Sequence, residues 1–204
     1  MLIKQIVTNI MGENAYICTD GGEAIICDPG GAADEIIGAL ENAVPKYILL
    51  THGHFDHIMA AKELRDRLGA KIVISHEDAQ MTEGDGNCGE DYGVFVAPFT
   101  ADLFAEEAEI KIGGSTFEVI KTPGHTKGSV CYLSGDVLLS GDTLFEGTIG
   151  KFDGKNAELM KKSVMSLAQL PDNIRVFPGH GDATDIGTEK RQNPYFEERN
   201  WNFI

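Results

Sequence analysis

The alternation of apolar and polar positions divides the chain into short strands at its start and strands interleaved with helices after that. Leu2–Thr8, Tyr16–Thr19 and Glu23–Cys27 read as strands, separated near Asn14 and at the Asp20-Gly-Gly22 turn. Asp28-Pro-Gly-Gly31 stops the third strand and opens a predicted helix over Ala33–Asn42. Tyr47-Ile-Leu-Leu50 is a continuous apolar run, the pattern of a strand covered on both faces. Ile58–Leu68 carries apolar residues at helical spacing with Gly69 as its C-cap. Lys71–Ser75 is another strand, and Ser75 can cap a short helix containing Asp78.

Glu83–Pro98 breaks the pattern: it is glycine-rich and reads as a loop or lid. Its aromatics, with Phe99, either wall a substrate pocket through Tyr92, Phe95 and Phe99 or tuck onto the core. Strands are then expected near Glu109–Ile112, Thr116–Thr122, Ser129–Leu133 and Val137–Ser140, followed by a helix over Ala157–Leu170 and a last strand at Ile174–Phe177. The aromatic-rich end, Pro194–Ile204, is expected to dock on its own domain rather than on a dimer partner. No linker-like segment separates the two similar halves, so the expectation is one α/β domain over residues 1–204.

Composition narrows the partners. With 17 basic and 32 acidic residues the net charge is −15, which argues against a polyanion bound through a broad basic surface, and so against nucleic acid. No apolar run approaches the ~20 residues of a membrane span. Cys18, Cys27, Cys88 and Cys131 form no Cys-x-x-Cys pair, and the N-terminus shows no export signal; a cytoplasmic protein is expected, monomer or homodimer, acting on a small molecule.

The chemistry lies in the histidines. Five of six sit in three glycine-bearing stretches, Thr51-His-Gly-His-Phe-Asp-His57, Thr122-Pro-Gly-His-Thr126 and Pro178-Gly-His-Gly181, each following a strand-like run. His52 and His54 alternate, so on extended backbone they point the same way, while Asp56 and His57 come after a turn and can serve a second ion. His125 and His180 can each complete a set, and the two oxygens of Asp142, in Ser140-Gly-Asp-Thr143, can bridge. A lone histidine beside glycine is usually a turn or surface residue; His-x-His-x-Asp-His followed by the other three stretches is far more specific. Imidazole and carboxylate donors suit zinc first, with iron or manganese as alternatives. His76 has no companion ligands and is expected to be structural.

This set, spread over nearly the whole chain together with Asp28-Pro-Gly30, resembles the metallo-β-lactamase superfamily. The resemblance implies a four-layer αββα sandwich with the metal site on one edge of its two sheets. It implies that His52, His54 and His125 hold a first metal, that Asp56, His57 and His180 hold a second, and that Asp142 bridges them. Asp28 either orients a ligand histidine or serves the turn before Pro29. Ser140-Gly-Asp-Thr-Leu-Phe145 and Gly150-Lys-Phe152 look like the glyoxalase II branch, which hydrolyses S-acylglutathione thioesters, and Lys151 falls where that branch uses a basic residue for the glutathione carboxylate. The ending Gly187-Thr-Glu-Lys-Arg-Gln-Asn-Pro194 resembles short bacterial hydrolases of this type; the tyrosine that the branch carries after its last metal histidine is replaced here by Gly181-Asp182-Ala183.

The implied mechanism is attack on a thioester carbonyl by a hydroxide shared between two divalent cations, with Asp56 and Asp142 as catalytic carboxylates that position it and balance charge. Two alternatives share the motif: a mononuclear-iron persulfide dioxygenase, and a lactonase or esterase. RNA-processing nucleases of the superfamily lack support because no basic surface is evident, and a scaffold protein has little reason to keep seven ligands.

Overall fold

The computed structural model describes residues 1–84 and 86–203. In chain order the elements are β1 (Leu2–Val7), β2 (Asn14–Asp20), β3 (Glu23–Cys27), α1 (Ala33–Leu40), β4 (Val44–Leu49), α2 (Phe55–Ile58), α3 (Ala61–Leu68), β5 (Lys71–Ile74), α4 (Ala79–Thr82), β6 (Leu103–Phe104) and β7 (Ile110–Ile112). They continue with β8 (Ser115–Lys121), β9 (Val130–Ser134), β10 (Val137–Gly141), β11 (Leu144–Phe145), β12 (Thr148–Ile149), α5 (Ala157–Leu167), β13 (Arg175–Pro178), β14 (Thr184–Asp185) and α6 (Ile186–Gln192). Short 3-10 turns lie at Glu90–Tyr92, Gly154–Asn156, Pro194–Phe196 and Glu198–Phe203.

Two six-stranded sheets form, ordered β1-β2-β3-β4-β5-β6 and β14-β13-β10-β9-β8-β7, with β11-β12 as a separate hairpin. The side-chain alternation of each central strand decides the layers. On β2 and β3, Ala15, Ile17, Ala24 and Ile26 face outward onto Ile36 and Leu40 of α1 and Leu64 of α3. Their neighbours Tyr16, Cys18, Ile25 and Cys27 face inward onto Phe117, Tyr132, Val137 and Leu139 of the second sheet. The far face of that sheet, with Cys131, Leu138 and Val176, is covered by Met160, Val164 and Leu167 of α5 and by Ile186 of α6. The αββα sandwich therefore follows from strands that are apolar on both faces.

Several element ends differ from the sequence expectation. The helix expected over 58–68 is two helices, α2 and α3, so Asp56 and His57 sit in a helical turn of their own. Asp78 lies just before α4 instead of within it, with Ser75 Oγ accepting from its amide at 3.3 Å. Helix α5 stops at Leu167, and β4 begins at Val44. Strands β6, β11, β12 and β14 and helix α6 are additions, all but α6 of only two residues, too short for periodicity to reveal. The glycine-rich loop divides its aromatics: Phe99 joins the first core, Tyr92 leans on Phe55 at 5.1 Å between centroids, and Phe95 stays exposed. In the C-terminal tail Phe196 and Trp201 are buried against the third core, and Trp201 Nε1 donates to Tyr195 O. Asp85 of the loop, and Ile204 and the Asn202 and Phe203 side chains of the tail, fall outside the described residues. No described helix is long and apolar enough to cross a membrane.

Three of the four thiols lie inside these layers, and burial pushes Cys18 up to about 12 and Cys131 up to about 11, with Cys27 raised for the same reason. All three are protonated at pH 8, and only Cys88 reaches solvent. Thiol-reagent titration at that pH is expected to label Cys88 alone in the native protein and all four cysteines after denaturation. A second fast-reacting thiol in the native state would contradict the packing.

Candidate metal centre

The histidine stretches meet because parallel strands in both sheets end at the same edge. The loop after β4 carries residues 51–57, the loop after β8 carries His125, β10 runs into Asp142, and β13 runs into His180. The two sheets are tied together there. Tyr132 Oη donates to Leu50 O at 3.0 Å, the Val130 amide to Thr51 O at 2.9 Å, and Tyr16 Oη to Pro178 O at 2.8 Å. Asn14 Nδ2 donates to Pro178 O and Gly181 O, fixing the His180 turn from both sides.

Two ligand sets result. His52 Nε2 and His125 Nε2 lie 3.1 and 2.9 Å from His54 Nδ1, and the three side chains offer donors within 4.8 Å of one another. Asp56, His57 and His180 form a second such set, with His180 Nε2 3.3 Å from Asp56 Oδ2. Asp142 lies between them: Oδ1 faces His57 Nε2 at 3.4 Å, and Oδ2 faces His125 Nε2 at 3.5 Å and His180 Nε2 at 3.8 Å. Asp28, His52 and His57 also fall within ligand distance of one another, but Asp28 spends its oxygens elsewhere.

Those other bonds set the ring orientations. Asp28 accepts from the Thr51 amide at 2.7 Å and the Thr51 hydroxyl at 2.6 Å, and its Oδ2 lies 3.1 Å from His57 Nδ1. With the proton on Nδ1, His57 turns the lone pair of Nε2 into the centre. Asp28 holds a left-handed backbone, φ 48°, a strained conformation for a residue with a Cβ, and its carbonyl accepts from the Gly30 amide; it serves the turn and the histidine together. His52 Nδ1 lies 3.1 Å from Thr51 Oγ1, and His125 Nδ1 2.6 Å from Lys151 O.

The donors fit cations. His57 Nε2 and Asp142 Oδ1 are buried, 3.4 Å apart, and without a hydrogen-bond partner. A buried polar atom left unpaired costs ~1–3 kcal/mol, more if charged, so such a pair facing each other calls for a ligand between them. Burial, and then the neighbouring imidazoles, depress the basicity of His52 and hold His54 down near about 3, leaving both neutral as ligands must be. His57 goes the other way: burial opposes its charge, but Asp142 and the bond to Asp28 outweigh that and raise it to about 10. Burial would raise Asp56 too, yet the His180 bond and the charge of His57 hold it below the usual carboxylate range.

A sequence model of the metallo-beta-lactamase superfamily matches residues 9–180. The chain belongs to that superfamily. It is similar to the hydroxyacylglutathione hydrolase GloC of Haemophilus influenzae, 36% identical over 95% of this chain and 96% of that one. Its fold matches the crystal structure of the B3 metallo-beta-lactamase BLEG-1 at a TM-score of 0.88, with 36% identity over 96% of this chain and 99% of the other. A second crystal structure, of TTHA1623 in a di-iron-bound form, matches at 0.82 with 30% identity over 94% and 99% of the two chains. The superfamily assignment makes this a metallo-hydrolase fold, and the His and Asp sets agree with divalent metal binding.

All seven predicted ligand side chains meet in this centre. Lys151 reaches it through its carbonyl, while its side chain is exposed. His76 lies elsewhere, stacked on Phe104 with Nε2 3.2 Å from Glu107. Asp78 has a role here that its expected place in a short helix does not signal. Its carboxylate accepts from the Gly53 amide at 3.1 Å, the Thr126 hydroxyl at 2.6 Å and the Gly128 amide at 2.8 Å, tying the first histidine loop to the His125 loop. These partners lie 25 to 50 residues away, and no local pattern announces them. Glu13, fully buried, presents two oxygens with no hydrogen-bond partner; burial raises it well above the usual carboxylate range.

Two outcomes are expected. At Gly179 an added Cβ would sit 2.3 Å from Asp142 Oδ1 and 2.6 Å from His57 Cε1. Gly179→Ala should therefore lose metal while its far-ultraviolet circular dichroism is unchanged; wild-type metal content by elemental analysis would refute the close packing. Second, the metal-free protein carries a proton on His57 at pH 7.5, below about 10, while His54, held near about 3, carries none. Metal loading should release the His57 proton, and affinity should rise with pH through this range. Calorimetry in buffers of different ionisation enthalpy reads the release, and its persistence in His57→Ala would sink the assignment.

Proposed function

We propose that this chain is a two-metal hydrolase of thioesters of the S-acylglutathione type, with His52, His54 and His125 holding one divalent cation, Asp56, His57 and His180 the other, and Asp142 bridging. The observation that carries the reading is the position of Asp142, whose two oxygens face both ligand sets. The thioester class is supported by the likeness to the Haemophilus hydroxyacylglutathione hydrolase along almost the full length of both chains. Zinc is the proposed metal, with iron next, since the di-iron-bound relative has the same fold.

Cations held by these residues would supply Lewis acidity for the carbonyl and would lower the pKa of an attacking water toward ~7. The chain's own part begins with His57, which Asp28 keeps in the tautomer that points Nε2 inward. Asp56 and Asp142 offset the charge of the cations and orient the attacking water. Its oxygen forms a bond to the acyl carbon as one of its O–H bonds breaks, the carbon–sulfur bond breaks, and the departing thiolate takes up the proton the water has lost. Burial of His52, His57 and Asp56 limits competing solvent and strengthens these interactions. Lys151, exposed beside His125, is proposed to meet a carboxylate of the thiol carrier.

Metal analysis of purified protein is expected to give two ions per chain, together with hydrolysis of lactoylglutathione. One iron with oxygen uptake on a persulfide would replace this reading by a dioxygenase. Asp142→Asn should lower turnover by roughly 100-fold or lose metal; unchanged metal content and turnover would remove the bridging role.

A further inference from the structure

The centre opens on one side into a groove of about 370 Å³ lined by Phe145, Glu146, Thr148, His180, Gly181 and Asp182. His180 belongs both to the second ligand set and to this groove, so a substrate held with its carbonyl at the centre continues into it. Phe145 stands perpendicular to the His180 ring at 6.2 Å and supplies an apolar wall. The floor at Gly181 has φ 77° and nothing within 4 Å of where a Cβ would lie, which leaves it open.

Both walls are fastened to one buried carboxylate. Glu189, fully buried, accepts from the Gly147 amide at 2.9 Å on the hairpin side and from the Thr184 hydroxyl at 2.7 Å on the His180 side. Asn193 Nδ2 joins Glu189 to Thr148 O, at 2.8 and 2.9 Å. The spacing of the walls is thus held from inside the protein and does not depend on exposed side chains.

The charges at the mouth are divided. Besides His180, the ionisable groups of the groove are two carboxylates, Glu146 and Asp182, both exposed, and no lysine or arginine lines it among the described residues. Lys151 belongs to the other side: its carbonyl lies 2.6 Å from His125 Nδ1, its side chain is exposed, and it does not line the groove. A thioester whose carrier meets Lys151 must then place its acyl group in the groove.

We propose that this groove is the acyl subsite and that it selects uncharged or cationic acyl groups with an apolar body, rejecting acyl groups that end in a carboxylate. The inference rests on the thioesterase reading and names its acyl class. The physical reason is repulsion: an acyl carboxylate would lie between two like charges with no lysine or arginine of the groove to offset them.

The test holds the carrier constant and varies the acyl charge. S-butyryl-, S-(β-alanyl)- and S-succinylglutathione are compared by kcat/KM with the metal-loaded full chain, for the wild type and for Glu146→Gln/Asp182→Asn. Succinyl is expected to lag butyryl and β-alanyl by about tenfold at low ionic strength, the gap narrowing with added salt. In the double variant succinyl should come within about threefold of butyryl at the same metal content. Succinyl turned over as well as butyryl by the wild type, or a preference that survives in the double variant, would overturn the subsite while leaving the thioesterase. Hydrolysis of none of the three would remove the thioesterase reading itself.

Discussion

The centre depends on the alignment of two sheets at one edge. Its ligands come from β4 of the first sheet and from β8, β10 and β13 of the second, so neither sheet can form it alone. Side chains interleaving across the inner core set the separation of the sheets, and bonds such as Tyr132 Oη to Leu50 O and Asn14 Nδ2 to Pro178 O set their offset. These bonds end on main-chain carbonyls adjoining the ligand stretches, where a shift of one residue would turn every side chain to the opposite face.

That alignment creates an electrostatic demand that the chain answers only in part. Five imidazoles and two carboxylates converge with His57 Nε2 and Asp142 Oδ1 left unpaired. Asp28 and Asp78 stabilise the arrangement from behind, the first by orienting His57 and Thr51, the second by clamping Gly53 to the His125 loop. The inward-facing side is left for cations. A fold that buries groups it does not satisfy is built around a ligand, because each such atom otherwise works against folding.

Around this centre the mouth is uneven. Lys151 stands on the side of the His54–His125 set, while Glu146 and Asp182 stand on the side of His180. The converging imidazoles and carboxylates and the charged groups at the mouth thus occupy separate regions of this edge, and the proposed substrate orientation rests on that separation. Helix α6 takes part through Glu189, which holds the hairpin and the His180 turn at a fixed distance.

By itself the sequence determined the layers and picked out the side chains that converge at their edge. Runs apolar on both faces, as at Tyr47–Leu50, require cover on two sides, and the His-x-His-x-Asp-His stretch with His125, Asp142 and His180 carries its chemistry in residue type and spacing. What periodicity could not show were elements of two residues and the break between α2 and α3, which depends on Ala60 donating its amide to Pro29 O across the fold. Only the tertiary structure decided the role of Asp78, the two roles of Asp28, the clasp at Glu189 and the division of charge at the mouth. Each joins residues far apart in the chain, and their proximity comes from the packing of the two sheets, which no local stretch encodes.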